Sequence, residues 1–285
     1  MPAPDVAALA NELRQAYADR QIIAVPPSAR EAGLDLDAAY AVGWELVRLR
    51  RTEGHRTVGL KVGFANKAVW RVMKLDTLVW APMYDDTVRF AERDSCDLPL
   101  ARMCAPKIEP EIVFKMKRPL APGTTDPATV LESVEWLALG FEIIDCVYAD
   151  WKFQPTDFVA AYGLHAALVV GTPLPIDAGN TPAIAEALPR FTVKLSRDGQ
   201  LVEEGSGRNS LRSPALCLGE LATALSRRVG ADAVAGVAAG AAESLAAGDL
   251  VSSGTLTESR PIAAGQTWNA VIDGLHLPAL TLMAV

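Results

Sequence analysis

The apolar positions of this chain follow two periods in turn. Up to about residue 52 they recur at helical spacing. Val6, Leu9, Ala10, Leu13 and Tyr17 share one face behind Asp5, which can cap a first helix. Tyr40, Trp44, Val47 and Arg51 share a second face in a helix starting at Asp35 or Asp37 and running to Thr52, with Gly54 as its stop. The stretch between, with Pro26, Pro27 and Gly33, reads as a loop. From residue 58 the pattern shortens toward alternation. Val58 to Phe64 predicts a strand, and Asn66 to Met73 a short helix. Residues 81–88 predict a turn leading into a strand, and Lys107 to Phe114 predicts another strand. Asp126-Pro127 predicts a helix start, with the helix running to about Leu139 and a strand carrying Glu142 after it.

Residues 149–156 are polar and aromatic and read as a loop near a site. The run from Asp157 to Gly171 is apolar but for Asp157, Tyr162 and His165, with the histidine expected in a strand. Phe191 to Val202, folded at Asp198-Gly199, has the signature of a hairpin. Residues 205–213 form a loop, 216–229 an amphipathic helix, and 250–257 a strand ending at Gly254-Thr255. Terminal strands cover 269–275 and 278–283. Residues 236–247, rich in Ala and Gly, fit a loop or a weak helix and suggest no function. Strands outnumber helices beyond residue 57, which predicts an α+β protein: a helical N-terminal part over 1–57 and a rolled, mainly β catalytic domain over 58–285. Regular βαβ alternation, a G-x-G-x-x-G run and internal repeats are all missing from the sequence.

The chemistry concentrates on one of these strands. In an extended Lys107-Ile108-Glu109-Pro110-Glu111-Ile112, Glu109 and Glu111 project on one face. Two such carboxylates either face water on an edge strand or share a cation. Glu142, set in the apolar run Gly140-Phe141-Glu142-Ile143-Ile144, adds a third acid that needs a partner. Three carboxylates suit Mg²⁺ or Mn²⁺, hard ions with oxygen ligands. Lys61, inside a short apolar strand flanked by glycines, either reaches out to the surface or pairs with an acid. His165 is either a satisfied core histidine or a group near the site.

Composition narrows the partners. Half of the 285 residues are hydrophobic and the formal net charge is −7. That balance argues against a nucleic-acid or anionic-membrane partner but permits a small anionic substrate at a local cation. No membrane span and no signal peptide are read from the sequence. Four cysteines without metal-type spacing fit reduced thiols in a cytoplasmic protein, and three histidines make a histidine-built zinc site a poor fit.

The stretches Gly59-Leu60-Lys61-Val62-Gly63, Asp85-Asp86, Ile108-Glu109-Pro110-Glu111-Ile112, Glu142-Ile143-Ile144-Asp145, Gly248-Asp249-Leu250-Val251 and Gly254-Thr255-Leu256-Thr257 occur in this order. In them the chain resembles the hydratase and decarboxylase branch of the fumarylacetoacetate hydrolase superfamily. The resemblance implies that family's mixed β-roll and a homo-oligomer, dimeric or higher. It implies Mg²⁺ or Mn²⁺ on Glu109, Glu111 and Glu142, Lys61 facing the substrate, and Gly254 and Thr255 lining its pocket. It further implies a hydratase adding water to a 2-hydroxy-2,4-dienoate, the enol of a 2-oxo acid, in aromatic-compound catabolism. Two stretches depart from the family pattern. Leu78-Val79-Trp80-Ala81 lacks an acid found in relatives, and Leu164 replaces a serine, with His165 beside it. His165 is therefore expected to take over acid–base work. The departures leave three other outcomes open: C–C hydrolysis of a β-diketone or acylpyruvate, decarboxylation of a 2-oxo acid, or a non-catalytic metal-stabilised binding protein.

Overall fold

Side-chain caps start helices that the sequence predicts. Asp5 accepts from the Ala8 amide, Asp35 from Ala38 and Asn66 from Ala68, each supplying an acceptor that the first helical turn lacks. The computed structural model describes residues 4–234 and 245–285. Its helices are α1 (Val6–Asp19), α2 (Leu36–Thr52), α3 (Lys67–Met73), α4 (Pro127–Leu131), α5 (Pro155–Ala160), α6 (Thr181–Ala187) and α7 (Pro214–Val234). Its strands are β1 (Thr57–Gly63), β2 (Val79–Tyr84), β3 (Val88–Phe90), β4 (Ser95–Leu98), β5 (Pro106–Met116), β6 (Val134–Asp145), β7 (His165–Val170), β8 (Leu174–Pro175), β9 (Thr192–Arg197), β10 (Gln200–Ser206), β11 (Leu250–Ser252), β12 (Arg260–Pro261), β13 (Thr267–Asp273) and β14 (Leu280–Ala284). Most of the Ala/Gly-rich stretch 236–247 lies outside the described residues.

Among the described residues the strands form two sheets. The larger runs β2-β1-β11-β5-β6-β7-β3, with β12 pairing β5 and β8 pairing β6; the smaller runs β10-β9-β13-β14-β4. β5 and β6 pair antiparallel along almost their whole length and form the spine of the larger sheet. Residues from α1 and α2 share one continuous apolar core with both sheets, from Leu9 to Ala284.

The structure corrects three local expectations. The helix opened by Asp126 stops at Leu131, and residues 134–139 belong to β6. That strand is buried on both faces at the sheet's centre, so its apolar run carries no period to tell it from a helix. Residues 79–84, expected partly as a turn, are strand, and the turn falls at 85–87. The strand expected over 250–257 ends at Ser252, because Gly254 sits at φ +91 and turns the chain away.

Candidate metal centre and active site

The carboxylates meet because of the β5–β6 register. Glu109 lies directly opposite Glu142, and Glu111 lies opposite Gly140, where the Val113 side chain and the Val169 carbonyl leave no room for a Cβ. Paired residues of antiparallel strands have Cα atoms about 5 Å apart, and like charges there repel. Carboxylate oxygens of Glu109, Glu111 and Glu142 all come within 4.8 Å of one another.

Lys61 answers part of that charge from a distance the flat sheet would forbid. It stands on β1, and β11 and β5 intervene before β6. Three strand spacings amount to about 14 Å. Yet the Lys61 Nζ is 2.9 Å from Glu142 Oε2, so the sheet curls and the lysine crosses its concave side. The pair is sealed from water, with 2% and 0% of the side chains exposed. Nζ also donates to the Gly163 carbonyl at 3.1 Å and stands 4.9 Å from the centre of the Phe158 ring. An ammonium has three donors, so one remains for the cavity.

Glu111 is held by β11 and the turn after it. Its Oε2 accepts from Ser252 Oγ at 2.5 Å and from the Gly254 amide at 2.8 Å. Its Oε1 is buried with no hydrogen-bond partner. A buried carboxylate oxygen without a donor is costly unless a cation meets it. Glu142 is gripped from the far side by His165, whose Nδ1 lies 2.8 Å from Oε1. A carboxylate only accepts, so Nδ1 carries the hydrogen. The other ring nitrogen, Nε2, lies 2.9 Å from Thr87 Oγ1. A bulge in β7 creates this contact: Ile143 pairs with Ala167 but Ile144 with His165, skipping one residue and turning the histidine to the Glu142 face.

The electrostatics follow from burial and these partners. Burial pushes the Glu109 carboxyl up to about 7, with Lys61 pulling it back. Burial, with Glu142 and Glu109 nearby, raises Glu111 well above the ordinary carboxylate range. Burial acts the same way on Glu142, but Lys61 and His165 outweigh it and hold that group low. Burial would neutralise Lys61; Glu142, Glu109 and Glu111 outweigh it and raise the ammonium's pKa. Without an added cation, three carboxylates face one ammonium. The donor set and the orphaned Glu111 oxygen fit a divalent, oxygen-preferring ion, which would take the place of the protons that burial favours on Glu109 and Glu111.

A cavity of about 610 Å³ opens over Glu109 and Lys61. Its wall includes Phe64, Trp151, Phe153, Phe158, Leu164 and Lys107. Phe64, Trp151 and Leu164 all have φ between +55 and +57, a region non-glycine residues rarely enter and one that tends to mark functional walls.

Each residue expected at the site can now be placed. Glu109, Glu111, Glu142 and Lys61 come together. Gly254 and Thr255 line the cavity, but the Gly254 amide is spent on Glu111 and the Thr255 hydroxyl donates to the Thr257 carbonyl at 2.9 Å. His165 touches Glu142 but is not among the cavity's lining residues, and both its nitrogens are taken. The geometry gives it the Glu142 carboxylate to hold. The acid-free stretch 78–81 is buried, with 79–81 in β2 and Trp80 packed on Tyr40 at 4.7 Å between ring centres. Asp85 and Asp86 approach His55, but Arg56 and Arg50 neutralise them at the surface. Sequence reasoning missed Ser252, whose hydroxyl carries no signal of its own, and the place of Lys107 on the cavity wall.

No protein-family model matches the chain. It is 28% identical over 243 residues to a 2-hydroxyhexa-2,4-dienoate hydratase of Comamonas testosteroni, covering 85% of this chain and 84% of that one. It is 28% identical over 272 residues to a 2-keto-4-pentenoate hydratase of Burkholderia vietnamiensis, covering 95% and 94%. Its fold matches a 4-oxalocrotonate decarboxylase from Pseudomonas putida G7, solved with magnesium and adipate, at a TM-score of 0.83 and 24% identity over 98% and 97% of the two chains.

Proposed function

We propose that this chain, a homologue of the hydratases and decarboxylases of the fumarylacetoacetate hydrolase superfamily, is a divalent-metal-dependent hydratase of a 2-hydroxy-2,4-dienoate in aromatic-compound catabolism. The observation that carries the reading is the Glu109–Glu111–Glu142 cluster, with the unpartnered Glu111 oxygen, under a cavity of small-molecule size. Mg²⁺ or Mn²⁺ on these glutamates would supply Lewis-acid polarisation of a 2-oxo group and a docking point for its carboxylate. The chain's own groups do the rest. Lys61 offsets the glutamates' charge and offers its remaining N–H to an anionic substrate. Ser252 and the Gly254 amide fix the Glu111 carboxylate. Phe153, Phe158 and Leu164 keep water from the apolar part of the substrate, so that addition occurs only at the admitted position. We further propose that the protein works in the cytoplasm as a homo-oligomer.

One observation favours a second reading, decarboxylation of a 2-oxo acid. Among the described residues the cavity wall holds no histidine, aspartate, cysteine or tyrosine, and water activation asks more of acid–base groups than loss of CO₂ does. Steady-state assays with Mg²⁺ or Mn²⁺ on 2-hydroxy-2,4-dienoates, acylpyruvates and an unsaturated 2-oxo diacid separate these. Hydration of the dienoate, abolished by EDTA and restored by metal, is expected. Turnover of the diacid to CO₂ alone would favour decarboxylation, and metal-independent activity would refute the site.

A further inference from the structure

Glu142 is held by His165, and His165 is itself held from behind by Thr87. Thr87 closes the turn 85–87 between β2 and β3, and its Oγ1 lies 2.9 Å from His165 Nε2. The direction of that bond follows from its neighbours. Nδ1 gives its hydrogen to Glu142, so in a neutral imidazole Nε2 is bare and needs a donor. Water does not supply one, because only 1% of the histidine side chain is exposed. The Thr87 hydroxyl has one hydrogen and two acceptors in reach, Nε2 and the Tyr84 carbonyl at 3.0 Å. That carbonyl already accepts from the Thr87 amide at 3.0 Å. The hydroxyl oxygen in turn accepts from the Tyr84 amide at 3.2 Å. Hydrogens therefore run one way, from the Tyr84 amide to Thr87, from Thr87 to His165, and from His165 to Glu142. Bonds in such a chain strengthen one another. The donor is also fixed in place. Leu168, opposite Val88 where β3 meets β7, donates its amide to the Thr87 carbonyl at 2.9 Å, which ties Thr87 to the histidine's own strand. On the solvent side the Asp85 amide donates to the Arg56 carbonyl at 2.9 Å, Asp86 pairs with Arg50, and that guanidinium lies 4.6 Å from the centre of the Tyr84 ring.

We propose that Thr87 is a positioning residue of the metal centre: its hydroxyl fixes the tautomer and ring plane of His165, and so the direction in which Glu142 presents its carboxylate. Thr87 is not among the cavity's lining residues and acts through His165. A ring flipped about its bond to Cβ would put a carbon where Nδ1 stands, and Glu142 would lose its donor. The proposal rests on the reading of Glu142 as a metal ligand and carries that site one residue outward.

With three histidines in the chain, the ring nitrogens can be read one by one. Nitrogen–proton correlation spectra of the metal-free protein at about pH 8, with His165→Asn to assign the signal, should show Nδ1 protonated and Nε2 as a bonded acceptor. Thr87→Val keeps the branched shape without the hydroxyl. It should move the Nε2 resonance toward that of an unbonded nitrogen and lower Mg²⁺ and Mn²⁺ affinity in calorimetry at least about threefold, a milder loss than removing the ligand-orienting group itself. Thr87→Ser should restore both. A wild-type ring protonated on Nε2 would overturn the proposal without recourse to any variant. So would a Thr87→Val spectrum or affinity equal to wild type. Equal losses in Thr87→Val and Thr87→Ser would do the same, since shape and not the hydroxyl would then matter. A wild type that binds neither ion removes the metal reading and this inference with it, whereas a failure of Thr87 alone shows in the metal-free spectrum.

Discussion

Glu111 shows how one side chain can be half satisfied by design. Its Oε2 takes two donors and its Oε1 none. Glu111→Gln can keep the accepting oxygen toward Ser252 and Gly254 while turning an NH₂ group toward the place of the ion. Mg²⁺ and Mn²⁺ affinity should drop tenfold or more, on the order of 1.4 kcal/mol, by calorimetry; unchanged binding would remove Glu111 from the ligand set. His165 acts one step further out, and groups that orient a ligand typically matter about 10- to 100-fold in metal affinity. His165→Leu should lose affinity on that scale. His165→Asn, which can place an N–H near the position of Nδ1, should recover most of it. A histidine needed to move protons would show the reverse pattern: metal affinity intact in both variants and turnover lost in both.

The elements differ in how far the sequence reveals them. β5 was legible because alternation puts Glu109 and Glu111 on one face and Ile108, Ile112 and Phe114 on the other. β6 was not, because a strand buried on both sides has no polar phase, and its first half read as the end of a helix. The three glutamates were therefore foreseeable as residues, whereas the opposition of Glu109 and Glu142 depends on a register that only pairing fixes. The β7 bulge that swings His165 toward Glu142 left no mark in composition, so the histidine's nearness could be suspected but not its role. Nor does spacing show that Lys61 must span a curl. Gly59 is one place where an element's position hangs on a missing atom. At φ +151, a Cβ there would lie on the Leu250 carbonyl oxygen of the parallel neighbour β11. Gly59→Ala should force β1 and β11 apart and cost about 1–3 kcal/mol, as overpacking does. A thermal melt equal to wild type would show that the strands can slide to accommodate it.

For the molecule as a whole, metal and protons compete for the same carboxylates, and the sign can be worked out. Glu109 rises from an ordinary 4.5 to about 7 on folding, and burial beside Glu142 and Glu109 raises Glu111 well above the ordinary carboxylate range. In the metal-free protein both bind protons more tightly folded than unfolded. The contribution of Glu109 to stability is full below about pH 4.5 and is lost as pH rises through 7, and that of Glu111 has the same sign. Glu142, held low, acts in the opposite sense and weakens the fold only in more acid solution. An ion that displaces those protons should bind better as pH rises. At 100 times its Kd it adds about 2.7 kcal/mol. The melting temperature gained on adding Mg²⁺ or Mn²⁺ to an EDTA-treated sample should thus be larger at pH 8 than at pH 5. A gain independent of pH would mean that the acids are already ionised in the empty protein. Among the described residues no helix is long and apolar enough to cross a membrane.

The place of β11 bears on how such a chain comes to be made. This three-residue strand lies between β1 and β5 in the sheet, yet it begins 134 positions after β5 ends (250 − 116 = 134). Until it emerges from the ribosome, two strands destined for the sheet's interior present open edges, and open edges recruit other chains. Pairings this distant in sequence also form slowly. A nascent chain therefore waits, with its acids gathered on β5 and β6 but its central seam unclosed, and chaperone supply during synthesis should set the yield of folded enzyme.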